Sequence, residues 1–301
     1  MFPLIGILVV AGAIIGGYLM EHGKLLVLLQ PAELLIIGGA AVGTLFIANP
    51  PSVMKGLLKG AVGAFGSSRF SQAFYLQTLK MLNDTFMRAR KGGLSALEAD
   101  IEDPTKSPVF SNYPELMKDS HALNFVCDTL RMAITGGVSH HDLDQMMELD
   151  LEVLHQETDA PVNALTTLAD SLPGLGIVAA VLGVVITMGA LGGPPGEIGQ
   201  KVAAALVGTF LGILMCYGFF SPLAAKMRRS NESESQYYHC LRTGILAFVR
   251  GSAPILAVEF ARRTIPAELR PSFKEMEDTC RNRGGQPAPG SGKTEAPARA
   301  A

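Results

Sequence analysis

Residues 171–196 read SLPGLGIVAAVLGVVITMGALGGPPG, and residues 202–225 read VAAALVGTFLGILMCYGFFSPLAA. Neither run contains a charged residue or a histidine. Each exceeds the roughly 20 residues that a helix needs to cross the core of a bilayer. A soluble helix of this length normally carries a charged outer face, so a buried hairpin in a soluble protein is the less favoured alternative. The two runs predict a hairpin of membrane-spanning helices, joined by a short loop at 192–199.

Small residues recur at four-residue spacing on both runs. Ala204, Gly208 and Gly212 form such a row on the second run, and Ala179 and Gly183 form one on the first. Small side chains let membrane helices approach closely where lipid supplies no hydrophobic driving force between them. We therefore expect the two helices of the hairpin to be in close contact.

Three further residues of the hairpin have both a structural and a functional explanation. Pro173 suits the first turn of a helix that Asp170 or Ser171 caps, and Pro222 suits the end of a helix. The hydroxyl group of Thr209 suits a hydrogen bond to the carbonyl group four residues earlier. The structural explanations are the simpler ones, and the residues taken singly leave a functional role open.

Two more apolar runs lie near the N-terminus. Together with the hairpin they predict an all-α membrane protein with spans at 1–21, 34–50, 171–192 and 201–222. The alternative for the first run is a secretory signal peptide. The run lacks the basic start and the small-x-small cleavage site of such a peptide, so we favour a span.

Lysine and arginine set the expected orientation. Residues 50–170 hold ten of them and residues 224–301 hold thirteen, whereas residues 21–33 hold one, Lys24, and residues 192–201 hold one, Lys201. Basic residues close to membrane spans favour the cytoplasmic side. We therefore expect both termini, a helical domain at 51–170 and a helical region at 223–283 to be cytoplasmic. The tail at 284–301 is mainly Gly, Pro, Ala and Ser, which predicts disorder.

A turn with charges of both signs lies in the first cytoplasmic segment. Its charged residues are Arg88, Arg90, Lys91, Glu98 and Asp100. As local signals, the basic residues complement a helix C-terminus, the glycines after them suit a C-cap, and Ser95 with Glu98 forms a capping box. As a surface, charges of both signs suit the docking of a charged partner. Both interpretations stay open, and they are compatible.

The sequence also argues against several kinds of chemistry. None of the four apolar runs contains a carboxylate, a lysine or a histidine, so an ion-moving function needs a titratable group from another chain. No nucleophile and base pair, cofactor loop or CxxC motif occurs, and Ser139 with Asp142 makes His140-His141 a helix start rather than a metal site. We expect no enzyme, no metal site and four free cysteines. An ion-channel subunit that needs a partner and a passive membrane scaffold remain.

The hairpin resembles a known family. Residues 170–185 (DSLPGLGIVAAVLGVV), 207–214 (VGTFLGIL) and 217–222 (YGFFSP) are similar to the last two membrane helices of MotA, the stator family of the bacterial flagellar motor. Shorter similar segments lie at 97–102, 110–114, 257–260 and 270–273. The related ExbB and TolQ family, which energises envelope transport, usually has three spans and a different charged loop. Four spans and the charged turn favour the motor family.

The resemblance implies a function as well as a fold. MotA proteins form a ring of five around two copies of MotB, a single-span partner whose membrane helix carries the ion-binding aspartate. Ion passage is thought to turn the ring and drive the rotor, without a chemical transformation. We therefore expect a subunit of a pentamer in the bacterial inner membrane, with no cofactor apart from the transported proton and no nucleic-acid partner.

The resemblance also assigns roles to single residues. It makes Pro173 and Pro222 conformational prolines and places the Thr209 hydroxyl group beside the ion route. Ala180 stands where sodium-type relatives have a second threonine, so we expect proton coupling. The other ion-route residues that it indicates are Asp170, at the cytoplasmic mouth, and Tyr217. The residues expected to meet the rotor protein FliG are Arg90 and Glu98, with Arg88, Lys91 and Asp100 as auxiliaries.

Overall fold

The computed structural model describes residues 2–189, 192 and 194–281. These residues form an all-helical protein, and no β-strand occurs among them. Its α-helices are α1 (Phe2–Met20), α2 (Leu25–Leu28), α3 (Pro31–Ala48), α4 (Pro51–Gly63), α5 (Gln72–Gly92), α6 (Glu98–Glu102), α7 (Pro114–Lys118), α8 (Ser120–Thr135), α9 (His140–Met188), α10 (Pro195–Leu214), α11 (Ser221–Val249), α12 (Pro254–Thr264) and α13 (Phe273–Arg281). There are also 3₁₀-helices at Leu94–Leu97 and Phe110–Asn112 and a π-helix at Met215–Phe220. The tail predicted to be disordered, 284–301, lies outside the described residues.

The chain divides into two units. The membrane unit comprises Met1–Arg69 and Glu148–Ser235, and the second unit comprises Phe70–Met147 and Gln236–Ala301. Among the residues that the structure describes, four stretches are long and apolar enough to cross a membrane, in agreement with the predicted number of spans. They are Pro3–Met20, Leu25–Ala48, His140–Met188 and Pro195–Val249.

The helix that contains the third predicted span does not begin near Pro173, so the expected helix start there is wrong. Helix α9 is 49 residues long and contains both Pro161 and Pro173. A proline normally ends or kinks a helix, because it lacks an N–H group and its ring crowds the preceding turn. Pro161 is buried, and a Cβ at Gly56 of α4 would lie 2.8 Å from its Cγ, so packing covers the ring. Ser171 does not cap a helix, since its hydroxyl group donates to the carbonyl oxygen of Leu168 at 2.7 Å.

The helix that contains the fourth predicted span extends beyond the predicted bounds at both ends. Helix α10 begins at Pro195, so the second half of the predicted loop at 192–199 is helical. A proline suits the first helical position because the N–H group there has no partner within the helix. Pro222 does not end the helix, which passes through the π-helix at Met215–Phe220 directly into α11. The wider π-helix therefore ends two residues before Pro222, the residue that has no N–H group to donate.

The second span begins earlier than predicted. Helix α3 starts at Pro31, three residues before the predicted start at 34, and includes Glu33 in its first turn. Only 7% of Glu33 is exposed. The expectation that no span contains a carboxylate is therefore wrong.

The core of the membrane unit is formed by α3 and α4 together with parts of α9 and α11. Helix α3 packs against α4 and α10, and α1 packs against the π-helix. Where these helices lie in lipid, van der Waals contacts between well-packed side chains, and not the removal of apolar surface from water, favour this packing. The largest buried contributors include Ile37, Leu45, Leu57, Leu165, Leu172 and Met227.

Helix α5 forms the centre of the second unit. It packs against α12 and α13 and buries Leu79, Leu82 and Phe86 completely. The ring of Phe86 stacks on that of Phe248 with 4.3 Å between the centroids. Gly251, with φ of +95°, ends the helical path after α11, and Pro254 begins α12. The left-handed φ explains why glycine occupies position 251.

Helix α9 begins with the predicted cap. The Ser139 hydroxyl group accepts a hydrogen bond from the Asp142 N–H group at 3.1 Å and donates one to Asp142 Oδ2 at 2.7 Å. Across the described parts of the chain, no group of His, Cys, Asp and Glu has the geometry of a metal site. The cysteines at 127, 216, 240 and 280 are free, as expected.

Candidate functional site

The two helices of the membrane hairpin meet at glycines. A Cβ at Gly176 of α9 would lie 2.9 Å from the carbonyl oxygen of Gly208 and 3.2 Å from Cα of Gly212 on α10. A Cβ at Gly212 would lie 2.5 Å from the carbonyl oxygen of Leu172. Backbones this close leave room only for hydrogen at these positions. The predicted close approach is confirmed, and we call Gly176, Gly208 and Gly212 the glycine seam.

Three of the residues assigned by resemblance lie along this seam. The Cα atom of Thr209 is 3.3 Å from the point that a Cβ at Gly176 would occupy. The Ala180 nitrogen is 3.3 Å from the corresponding point at Gly208. Pro173 follows Leu172, whose carbonyl oxygen would lie 2.5 Å from a Cβ at Gly212. Ala180 and Thr209 therefore lie where the backbones of α9 and α10 are in contact, and Pro173 is the next residue after such a contact.

The hydroxyl group of Thr209 differs from those of the other threonines in the apolar spans. Thr44 donates to the carbonyl oxygen of Ala41, and Thr187 donates to that of Gly183, both at 2.8 Å. Within the described part of the chain, the half-buried Thr209 makes no side-chain hydrogen bond. The predicted bond to the carbonyl group four residues earlier is wrong, and the hydroxyl group is available to another molecule.

A carboxyl group from a third helix reaches the same seam. A Cβ at Gly208 would lie 2.6 Å from Oε2 of Glu33, and one at Gly183 would lie 3.6 Å from Oε1. The Gly208 point also lies 3.3 Å from Cβ of Ala179. The small residues of α9 and α10 thus make space for the Glu33 side chain as well as for each other.

The other residues that the resemblance assigns to the ion route lie on the surface of the single chain. Asp170 and Pro222 are exposed, and Tyr217 is 69% exposed although it belongs to an apolar span. A large aromatic side chain exposed within a span faces lipid or another subunit. These three side chains are therefore placed for contacts outside the chain.

The charged turn of the second unit has two parts, and its exposed part carries both signs of charge. Helix α5 ends at Gly92, and Gly93 has φ of +81°, which a glycine C-cap explains. Arg90, Lys91 and Glu98 are exposed on either side of this turn. These are the side chains that can meet a charged partner.

The other part of the turn is an internal ion pair. Arg88 Nε lies 2.5 Å from Asp100 Oδ2, and its N–H group donates to the carbonyl oxygen of Ala96 at 3.4 Å. Asp100 is 1% exposed and accepts a hydrogen bond from the Ser107 hydroxyl group at 2.8 Å. A buried carboxylate needs such partners. Arg88 and Asp100 therefore hold the turn together.

The predicted capping box is wrong. Ser95 lies in the 3₁₀-helix at Leu94–Leu97, and neither this helix nor α6 has a side-chain cap at its start. The 3₁₀ turn places Glu98 as the first residue of α6. A carboxylate in the first turn complements the helix dipole, so Glu98 suits this position without a cap.

Comparison with known proteins adds the family. Residues 4–93 match the family Motility protein A N-terminal, and residues 118–239 match the MotA/TolQ/ExbB proton channel family. Motility protein A of Escherichia coli is 42% identical over 93% of this chain and 95% of that protein. The chain belongs to the MotA family. Motility protein A of Salmonella typhimurium is 40% identical over 93% of this chain and 95% of that relative. Chemotaxis protein LafT of Vibrio parahaemolyticus is 36% identical over 92% of this chain and 97% of that relative.

Solved structures show the same fold. The flagellar MotAB stator complex from Bacillus subtilis matches with a TM-score of 0.70 and 25% identity, over 88% of this chain and 96% of that one. The MotAB structure of C. jejuni gives a TM-score of 0.72 at 18% identity, with the same coverage. Four apolar spans and membership of the MotA family make the chain a multi-pass protein of the inner membrane.

Glu33 is the site residue of this MotA-family chain that sequence reasoning missed. The signal was present, because a proline at the first helical position and an acid in the first turn mark a helix start. Pro31 and Glu33 have this spacing. Starting the helix at Pro31 rather than at Leu34 places the carboxyl group inside the span.

Proposed function

We propose that this chain is the stator subunit of a bacterial flagellar motor. Together with a MotB-type partner it forms a proton channel, and it converts proton flow into torque on the rotor. Its work is mechanical and needs no chemical transformation of a substrate. The observation that carries the proposal is the 42% identity to a Motility protein A, which extends over both the membrane hairpin and the charged turn.

The envelope-transport function of ExbB and TolQ is the alternative within the same channel family. The match of residues 4–93 to the N-terminal family of Motility protein A favours the motor, because this segment includes the first two spans and the basic half of the charged turn. The relatives described above have motility or chemotaxis names. A passive scaffold has no corresponding support.

The membrane unit leaves surfaces that further subunits would cover. In the single chain, Val181, Val185 and Ile186 of α9 are 55%, 63% and 65% exposed. Apolar side chains of this kind suit lipid or the packing of neighbouring helices. They support a ring, which we take to be a pentamer, around a partner helix that supplies an ion-binding carboxylate. The free Thr209 hydroxyl group and the exposed Tyr217 ring suit a route beside that helix.

The proposed orientation follows from the charge distribution. Lys226, Arg228 and Arg229 follow the fourth apolar run directly, and basic residues close to a span favour the cytoplasmic side. Both termini and the second unit are then cytoplasmic, where the rotor is. Arg90, Lys91 and Glu98 would dock there on a charged FliG-type surface.

Rotation of tethered cells tests the function. Cells that lack their own stator subunit are supplied with this chain and a matched partner in sodium-free medium, and are observed before and after addition of a protonophore. We expect rotation that requires the chain and stops with the protonophore. Expression without rotation would contradict the motor function, and rotation that survives the protonophore would contradict proton coupling. The Pro173→Ala variant serves as a control that separates assembly from rotation. We expect it to assemble with the partner but to rotate poorly.

A further inference from the structure

Glu33 is a buried carboxyl group that the proposed motor function does not use. It is 7% exposed, and within the described residues its Oε2 atom has no hydrogen-bond partner. An unpaired carboxylate in an apolar environment is unfavourable, because it loses its hydration and gains nothing in exchange. Ionisable groups inside membrane proteins are therefore retained mainly where they have a function.

The space around this carboxyl group is shaped by two glycines from two helices. Gly208 of α10 allows Oε2 to approach, since a Cβ there would lie 2.6 Å away. Gly183 of α9 faces Oε1, with 3.6 Å from the corresponding point. The side chain is thus aimed into a cradle that an alanine at position 208 would fill.

The two helices that line the space around the carboxyl group supply no counter-ion next to it. Between 171 and 188, α9 has no charged residue. The charged residues of α10 are Glu197 and Lys201, about three and two turns before Gly208. No ion pair joins Glu33 to any residue in the parts of the chain that the structure describes. Uptake of a proton is the remaining way to neutralise the group.

We propose that Glu33 is a proton-binding site on the ion route of this chain. One carboxylate oxygen takes a proton from a hydronium ion at the outer end of the hairpin, so that one O–H bond of the hydronium ion breaks, an O–H bond to Glu33 forms and a water molecule is left. The O–H bond of Glu33 later breaks as the proton passes to a water molecule, which becomes hydronium, or to the partner's carboxylate. The carboxyl group lies against Gly208, which precedes Thr209, and the same point at Gly208 is 3.3 Å from both Cβ of Ala179 and the Ala180 nitrogen. This inference rests on the proposed function and on the orientation given above.

Infrared titration tests the site without motor activity. The full-length chain is purified with its single-span partner, reconstituted in lipid and titrated with acid in sodium-free buffer. We expect a carbonyl-stretch band of a protonated carboxyl group that disappears in Glu33→Gln, persists in Glu33→Asp and is unchanged in the control Glu197→Gln. Identical spectra for Glu33→Gln and the unchanged chain would overturn the proposal. A band that responds to sodium ions instead of pH would overturn it too.

Motor speed gives the second measurement. We expect Glu33→Gln to assemble with the partner, as judged by co-purification, but to lose speed and to respond less to external pH, with partial recovery in Glu33→Asp. If Glu33→Gln turned like the unchanged chain at every pH, the site would be wrong while the stator function stood. If the unchanged chain failed to rotate, the stator function would fall, and the infrared result alone would decide whether Glu33 binds a proton.

Discussion

Replacement of Gly212 by alanine tests the glycine seam most directly. The new Cβ would lie 2.5 Å from the carbonyl oxygen of Leu172 and 2.9 Å from Cα of Gly176. Non-bonded carbon atoms are most favourable at about 3.5 Å or more, so α9 and α10 must separate by about 1 Å. Both obstacles are backbone atoms and cannot rotate away. Overpacking of this kind costs about 1–3 kcal/mol of folding free energy.

A matched glycine in the first span separates this cost from the intrinsic effect of alanine. A Cβ at Gly17 of α1 would meet no described atom within 4 Å. Gly17→Ala therefore contributes only the gain in helix propensity, up to about 1 kcal/mol. Unfolding of the purified full-length chain in mixed micelles with increasing SDS, followed by circular dichroism, compares the two. We expect Gly212→Ala to unfold at clearly lower SDS than Gly17→Ala. Equal midpoints would refute the close contact of the hairpin helices.

Three further outcomes test other parts of the chain. Glu98→Lys should lower stall torque, because it reverses an exposed charge of the docking surface, and a matching charge reversal on the rotor protein should restore part of the torque. If cells with both reversals never produced more torque than cells with either one alone, direct docking would be contradicted. Ala180→Thr should weaken the dependence of rotation on protons in at least one partner combination, because it adds an oxygen ligand next to the Gly208 contact. If swimming assays showed unchanged ion dependence with every partner, Ala180 would no longer support proton coupling. Burial, with a smaller effect of Asp128, raises the pKa of Cys127 from 9.0 to about 11. At pH 8 this leaves roughly a hundredfold less thiolate, so alkylation should be slow in the folded chain and fast after denaturation, and equal rates would show that the thiol is not buried.

The helical hairpin was predictable because its signals are local and strong. Runs without charge define spans, and small residues at four-residue spacing predict close packing. The structure confirms this for Gly183, Gly208 and Gly212 of the predicted rows, and it adds Gly176, which the spacing did not indicate. The exposed charges of the turn, Arg90 and Glu98, also lie where a docking surface needs them. Their role in docking stays a prediction.

Predictions that relied on a single local rule failed where tertiary contacts decide. Pro173 and Pro222 were expected to mark helix ends, yet both are within continuous helical paths, since a 49-residue helix and a π turn accommodate them. Glu33 was excluded from its span because a charge usually ends an apolar run. Two glycines far away in sequence create the space that lets it be buried, and no local pattern contains that information.

The exceptions to local rules are concentrated in one part of the molecule. Pro173, the π-helix before Pro222, the free Thr209 hydroxyl group and the unpaired Glu33 all lie on or against α9 and α10, whereas the start of α9 at Ser139 follows the ordinary capping rule. Sequences that specify one structure obey such rules almost everywhere, and exceptions persist mainly where function requires them. A helix that lacks donors at a proline resists bending less than a regular one. The membrane hairpin is therefore the part of the chain best suited to couple proton binding to movement.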